Sequence, residues 1–95
     1  MRGVDLAIYA DALAGEAASV VARAERARSR LRQAAIEQRA RGDLTETAVS
    51  RLEALGLLSG IDQAATRNEL RELDAALEAL DELQAWVERQ LAADG

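Results

Sequence analysis

Two long stretches of the chain carry apolar residues at alternating intervals of four and three positions. The first runs from about Val4 to about Ala40, and the second from about Asp62 to about Ala92. This spacing places the apolar side chains on one narrow side of a helix, as in a coiled coil. It predicts two long helices with apolar seams at Leu6, Ala10, Leu13, Ala17, Val20, Ala24, Ala27, Leu31 and Ala34 in the first, and at Leu70, Leu73, Leu77, Leu80, Gln84, Val87 and Leu91 in the second.

A short helix is predicted between the two long ones, over about residues 44–55. Asp43, with Glu46 three residues later, resembles a capping box and is expected to start this helix. Gly42 is expected to end the first long helix in a left-handed conformation, and Gly56 to end the short helix in a Schellman-type turn. Either Ser59 or Asp62 is expected to cap the last helix.

The two long segments carry opposite charge. Residues 1–41 hold eight Arg against five acids, and residues 61–95 hold three Arg against nine acids. The basic run from Arg23 to Arg32 would lie opposite Glu72, Asp74 and Glu78 if the helices fold back on each other. We therefore predict an all-α, single domain over residues 1–95, with helices arranged long–short–long and the long pair forming an antiparallel hairpin.

Two glutamines interrupt this pattern. Gln84 lies on the apolar seam of the last helix, and Gln38 continues the seam of the first helix near its end. A polar residue on a seam either fixes the register of the helices or marks a partly exposed position. The partly exposed position suits Gln38, near the end of its helix, and both interpretations stay open for Gln84.

The residue types present restrict the possible chemistry. Cys, His and Lys are all absent, which excludes thiol, imidazole and lysine chemistry from any site. The acidic group Asp74, Glu78, Asp81 and Glu82 lacks the loop typical of a cation site. We therefore expect no enzymatic activity, no cofactor and no metal.

Charge and hydropathy restrict the possible partners and location. The net charge of −5 argues against nucleic-acid binding, and no apolar run approaches the length needed to cross a membrane. We expect a cytoplasmic protein that binds neither nucleic acid nor membrane.

Apolar residues beside the two seams predict an interaction surface, because monomeric soluble proteins rarely expose an apolar strip. Trp86, the only Trp, belongs to this set, although its packing against the short helix is an equal alternative. We expect a homodimer, or a complex with another helical protein, in a non-enzymatic interaction module such as an adaptor, small chaperone or assembly subunit. The candidate interface residues are Ala75, Ala79, Leu83, Trp86, Val21 and Ile36.

In length, acidity and absence of Cys, the chain resembles the ESX-secreted helical-hairpin proteins named for a Trp-x-Gly turn. That resemblance implies a dimer exported by a dedicated secretion machine. The corresponding turn here reads Ala40-Arg41-Gly42 and lacks the Trp, and the C-terminal Tyr-x-x-x-acid signal of that family is also missing.

A second resemblance is to the all-helical chorismate mutases, which are similar in size and have three helices with a long first one. It implies an active site in which Arg and Lys hold a dicarboxylate. This chain has no Lys, and its Arg residues do not match the motif of that family.

Overall fold

Residues 2–94, the part of the chain whose backbone is described, form three helices. The computed structural model describes the backbone of Arg2–Asp94 and the side chains of residues 4–93. Helix α1 spans Arg2–Asp43, α2 spans Glu46–Ala54 and α3 spans Gln63–Asp94. The described part of the chain contains no strand, and α1 and α3 contact each other as a helical hairpin. The predicted all-α, long–short–long fold is confirmed.

The chain divides into two compact units. The terminal unit contains α1 as far as Glu25 together with α3 from Arg71 onward. The turn unit contains residues 26–70, and therefore the end of α1, all of α2 and the start of α3.

The core of the terminal unit comes from the two predicted seams. Leu13 and Ala24 of α1 are buried, as are Leu73 and Val87 of α3. Val87 is only 1% exposed and is the largest side chain to be fully buried among the described residues. All four residues lie at positions that the four-three spacing assigned to the helix contact.

The core of the turn unit is smaller and partly polar. Ala27 and Ala34 are buried on α1, and Thr66 is buried on α3. The Thr66 hydroxyl donates a hydrogen bond to the carbonyl oxygen of Asp62 at 2.8 Å. The remaining buried residue of this unit is an acid, Glu37.

Helix α1 continues beyond its predicted end. It includes Gly42 and Asp43, and the Leu44 amide still donates to the Ala40 carbonyl oxygen at 2.9 Å. The prediction that Gly42 ends the helix is wrong, because a helical glycine costs only about 1 kcal/mol relative to alanine and the surrounding hydrogen bonds persist. The Ala40-Arg41-Gly42 segment is consequently helical and is not a turn.

Helix α2 begins two residues later than predicted. Its N-cap is Thr45, whose extended backbone (φ −68°, ψ 154°) lets the hydroxyl accept a hydrogen bond from the Ala48 amide at 3.2 Å. The prediction that Asp43 starts this helix is wrong, because Asp43 still belongs to α1.

The predicted end of α2 is confirmed. Gly56 adopts φ +72°, a left-handed conformation that an L-residue rarely takes. Its amide donates to the Glu53 carbonyl oxygen at 3.0 Å, and the Leu57 amide donates to the Leu52 carbonyl oxygen at 2.9 Å. These two bonds together form a Schellman motif.

Of the two candidate caps for α3, Asp62 is the one used. Its Oδ1 accepts a hydrogen bond from the Ala65 amide at 3.0 Å, which satisfies one of the free amides at the start of the helix. Ser59 lies three residues earlier and bonds elsewhere.

Candidate interaction surface

A buried carboxylate connects α1 to the loop before α3 in the turn unit. Glu37 is 8% exposed and follows Ala34 by three positions on α1. Its Oε1 accepts hydrogen bonds from the Ser59 amide and the Ser59 hydroxyl, each at 3.1 Å. Gln33, one turn earlier, donates from Nε2 to the same Oε1 at 3.2 Å and to the Ser59 hydroxyl at 3.3 Å.

These donors favour the charged form of Glu37. The Ser59 amide makes the largest contribution and lowers the pKa of the carboxyl group. Burial acts in the opposite direction, and the Gln33 and Ser59 side chains and the charge of Arg41 lower the pKa further. Glu37 therefore acts as an ionised hydrogen-bond acceptor at neutral pH.

A shallow cavity of about 220 Å³ adjoins Glu37. Arg41 on its wall is already engaged, since its guanidinium pairs with the Glu53 carboxylate of α2 at 2.7 Å. No described side chain has a buried polar atom without a hydrogen-bond partner. The network thus holds the loop against α1, and no orphaned group marks the cavity as a ligand site.

The sequence reasoning missed Glu37. A strict four-three extension of the α1 seam leads to Gln38, but Gln38 is exposed and Glu37 is buried. The step from Leu31 to Ala34 is followed by a second step of three, from Ala34 to Glu37, where strict alternation calls for a step of four. The four-three pattern does not predict this irregularity, so it gives no sign that Glu37 is buried.

The predicted charge pairing between the long helices has a counterpart in the turn unit. The Arg30 guanidinium lies 3.9 Å from the Glu69 carboxylate, and both side chains are about half exposed. Such an exposed pair contributes only about 0–1 kcal/mol, so it favours the antiparallel orientation more than it stabilises the fold.

Four of the six candidate interface residues form one strip on α3 in the terminal unit. Ala75, Ala79 and Trp86 are exposed, with Trp86 at 46%, and Leu83 is partly buried. The spacing of four, four and three places them on one side of the helix. We call these four residues the α3 strip.

The other two candidates lie on α1, one in each unit. Val21 is 42% exposed in the terminal unit, and Ile36 is 65% exposed in the turn unit. The six candidates are therefore not one continuous set: the α3 strip is a local cluster, and Val21 lies on the other long helix.

The first half of α1 exposes apolar surface well beyond Val21, the one candidate interface residue in this half of the helix. Over residues 4–22, exposed non-polar residues lie beside and opposite the seam, and the exposed charged residues among them are Asp5, Asp11 and Glu16. Val4 and Ile8 are 62% and 64% exposed. The exposed non-polar residues are Val4, Ala7, Ile8, Ala12, Ala14, Gly15, Ala18, Val21 and Ala22.

A groove of about 170 Å³ lies between α1 and α3 in the terminal unit. Its α1 wall is non-polar, and its α3 wall carries the Glu88 carboxylate and the amide of Gln84, one of the two seam glutamines. The groove is lined by Ala10, Leu13, Ala14, Gln84, Val87 and Glu88.

Among residues 2–94, no three or more His, Cys, Asp or Glu side chains are grouped so that they would hold a metal ion. Within the same residues, none of the helices combines the length and the apolar character required to span a bilayer.

Comparison with known proteins adds no family to this description. No family model, no curated protein and no solved structure matches the chain.

Proposed function

We propose that this protein is a non-enzymatic helical interaction module that self-associates as a homodimer through the α3 strip. The observation that carries the proposal is the exposure of Trp86, which is 46% accessible and lies next to Leu83 on one side of α3. Large aromatic side chains surrounded by smaller apolar ones are typical of the residues that dominate binding energy.

The size of the chain supports self-association. A protein of 95 residues buries a modest fraction of its surface, so a second copy adds core that one chain lacks. The α3 strip also begins with two alanines, which let two helices approach closely. In a symmetric dimer the same strip contributes from both copies.

Analytical ultracentrifugation tests this proposal. The full chain is expected to sediment as a dimer at micromolar concentration, and the double variant Leu83→Glu/Trp86→Glu as a monomer with unchanged helical circular dichroism. The matched control is Leu55→Glu/Leu57→Glu, which replaces two exposed leucines of the turn unit and should leave the dimer intact.

Two results would contradict the proposal. A native chain that is monomeric at micromolar concentration excludes the homodimer. A dimer that survives the Leu83→Glu/Trp86→Glu change uses a different surface.

A further inference from the structure

The groove of the terminal unit has two chemically different walls. On α1, Ala7 and Val21 lie seven residues before and after Ala14, so all three lie on the same side of that helix. On α3, Asp81 lies seven residues before Glu88, so these two acids lie on the same side of that helix. Glu88 and Ala14 both line the groove, which fixes these two sides as its walls.

The acidic wall is available to a partner. Asp81 and Glu88 are exposed, and neither carboxylate forms an ion pair or hydrogen bond with another described residue. The terminal unit as a whole holds four Arg against eleven acids, a net charge of −7, whereas the turn unit has a net charge of +2. A ligand of this groove therefore meets an apolar surface on one side and negative charge on the other.

We propose that this groove binds an amphipathic helix of another protein whose apolar side packs on Ala7, Ala14 and Val21 and whose Lys or Arg residues face Asp81 and Glu88. The inference rests on the proposed function, since it assumes an interaction module, but it concerns a different face from the α3 strip. Charge decides the occupant: the four residues of the α3 strip are uncharged, whereas this groove has Asp81 and Glu88 on one side, and a second copy docked symmetrically here would bring the same two acids close to them.

The surface that contains the groove is long enough for a helix. The side of α1 from Ala7 to Val21 extends about 21 Å at 1.5 Å per residue, which corresponds to about four turns of a bound helix, and the groove itself lies near the middle of this side, at Ala10 and Ala14. The alanines on this wall allow the backbones to come close, and larger apolar residues of the partner would fill the groove above Ala10 and Ala14.

Two synthetic peptides test the proposal against the full chain. Each has about 21 residues with Leu at the seam positions, and the flanking positions are all Lys in one peptide and all Glu in the other. Fluorescence anisotropy of the labelled peptides is expected to give a Kd at least about tenfold lower for the Lys peptide than for the Glu peptide.

Matched variants locate the binding site. Asp81→Arg/Glu88→Arg should weaken binding of the Lys peptide by at least about tenfold, whereas Glu78→Arg/Glu82→Arg, with the same change in net charge on other sides of α3, should weaken it by less than about threefold. Ala14→Arg should abolish binding, and Ala12→Arg, an equivalent change at an exposed position on another side of α1, outside both the groove and the α3 strip, should not. Circular dichroism of each variant confirms that it is folded.

Several outcomes would overturn the inference. Equal affinity for the two peptides would mean that the acidic wall does not select the partner, and equal loss in the two double variants would mean that only net charge matters. If neither peptide binds and Ala14→Arg disrupts a dimer instead, a second copy occupies the groove. The proposed function is tested separately: it is contradicted if the Leu83→Glu/Trp86→Glu variant still sediments as a dimer.

Discussion

Glu37 shows how a single acid becomes part of a core. Its carboxylate lies at the edge of the turn unit and receives both polar hydrogens of Ser59, the amide and the hydroxyl. A buried carboxylate is unfavourable unless donors replace its water, and here the loop before α3 supplies them. The charge of Glu37 is therefore coupled to the position of the loop. Neutralising Glu37 should loosen the loop, and moving the loop away would leave the carboxylate without its Ser59 donors.

Replacing Glu37 with Gln should make the stability of the protein less dependent on pH. The pKa of Glu37 is lowered in the folded protein from its ordinary value of 4.5, so its charge stabilises the fold above that value. This contribution is lost as the pH falls through the lower, folded-state pKa.

Thermal unfolding followed by circular dichroism at several pH values measures this effect. The melting temperature of Glu37→Gln should lie below that of the native chain at pH 7, with the gap closing at acidic pH. Glu16→Gln, which changes an exposed acid of the same helix, is the control and should show no such gap. A gap that widens as the pH falls would contradict the assignment.

At the scale of helices, the sequence predicted the long elements better than their ends. The seams of α1 and α3 span many turns, so an error at one position such as Gln38 does not alter the pattern. The ends depend on single residues with several possible roles. Thr45 and Asp43 are both good N-caps, and the choice between them depends on how far α1 continues, which local spacing does not reveal.

The candidate surface was predictable only in part. The α3 strip follows from the spacing of apolar residues alone. The groove required knowledge of the register between two helices, because Glu88 and Ala14 are far apart in sequence and become neighbours only in the hairpin. Glu37 was hidden for a related reason, since its partner Ser59 lies 22 residues away.

The glycines at positions 42 and 56 should respond oppositely to alanine. Gly42 is helical and exposed, and an added Cβ would meet nothing within 4 Å, so Gly42→Ala should stabilise the protein by about 0.5–1 kcal/mol. Gly56 has φ +72°, so Gly56→Ala should destabilise it by about 1–2 kcal/mol. Urea unfolding monitored by circular dichroism gives the change in unfolding free energy for each variant. If both variants change it in the same direction, the assigned helix ends are wrong.

The cap of α2 provides an independent check on the same boundary. Thr45→Ala removes the hydroxyl that accepts from the Ala48 amide and should cost about 1 kcal/mol of unfolding free energy. Thr47→Ala, which changes another exposed Thr two residues later, is the matched control. A larger loss for the control would show that the helix starts elsewhere.

At the scale of the whole molecule, charge is divided unevenly between the two units. The terminal unit has a net charge of −7, and it also contains both proposed contact surfaces, the α3 strip and the groove. Association of two terminal units works against electrostatic repulsion, whereas binding of a basic helix gains from attraction. The two proposed contacts should therefore depend on salt in opposite ways.

Raising the ionic strength should separate these contacts. Between about 20 mM and about 300 mM NaCl, screening shortens the range of exposed charges several-fold, so the dimer should become tighter and the Lys peptide should bind more weakly. Sedimentation equilibrium and anisotropy titrations at each salt concentration measure the two constants. A dimer that weakens with salt would show that its interface contains attractive charge pairs.

The alanines at the centre of the hairpin restrict how this protein can change over evolutionary time. Ala24, Ala27 and Ala34 are each less than 5% exposed, so they hold almost no volume that a mutation can remove, while any enlargement has to push the helices apart. In most cores the damaging substitutions are those that shrink a side chain. Here the upper limit on side-chain size is the constraint, so these three positions should alternate only among the smallest residues across lineages of this protein.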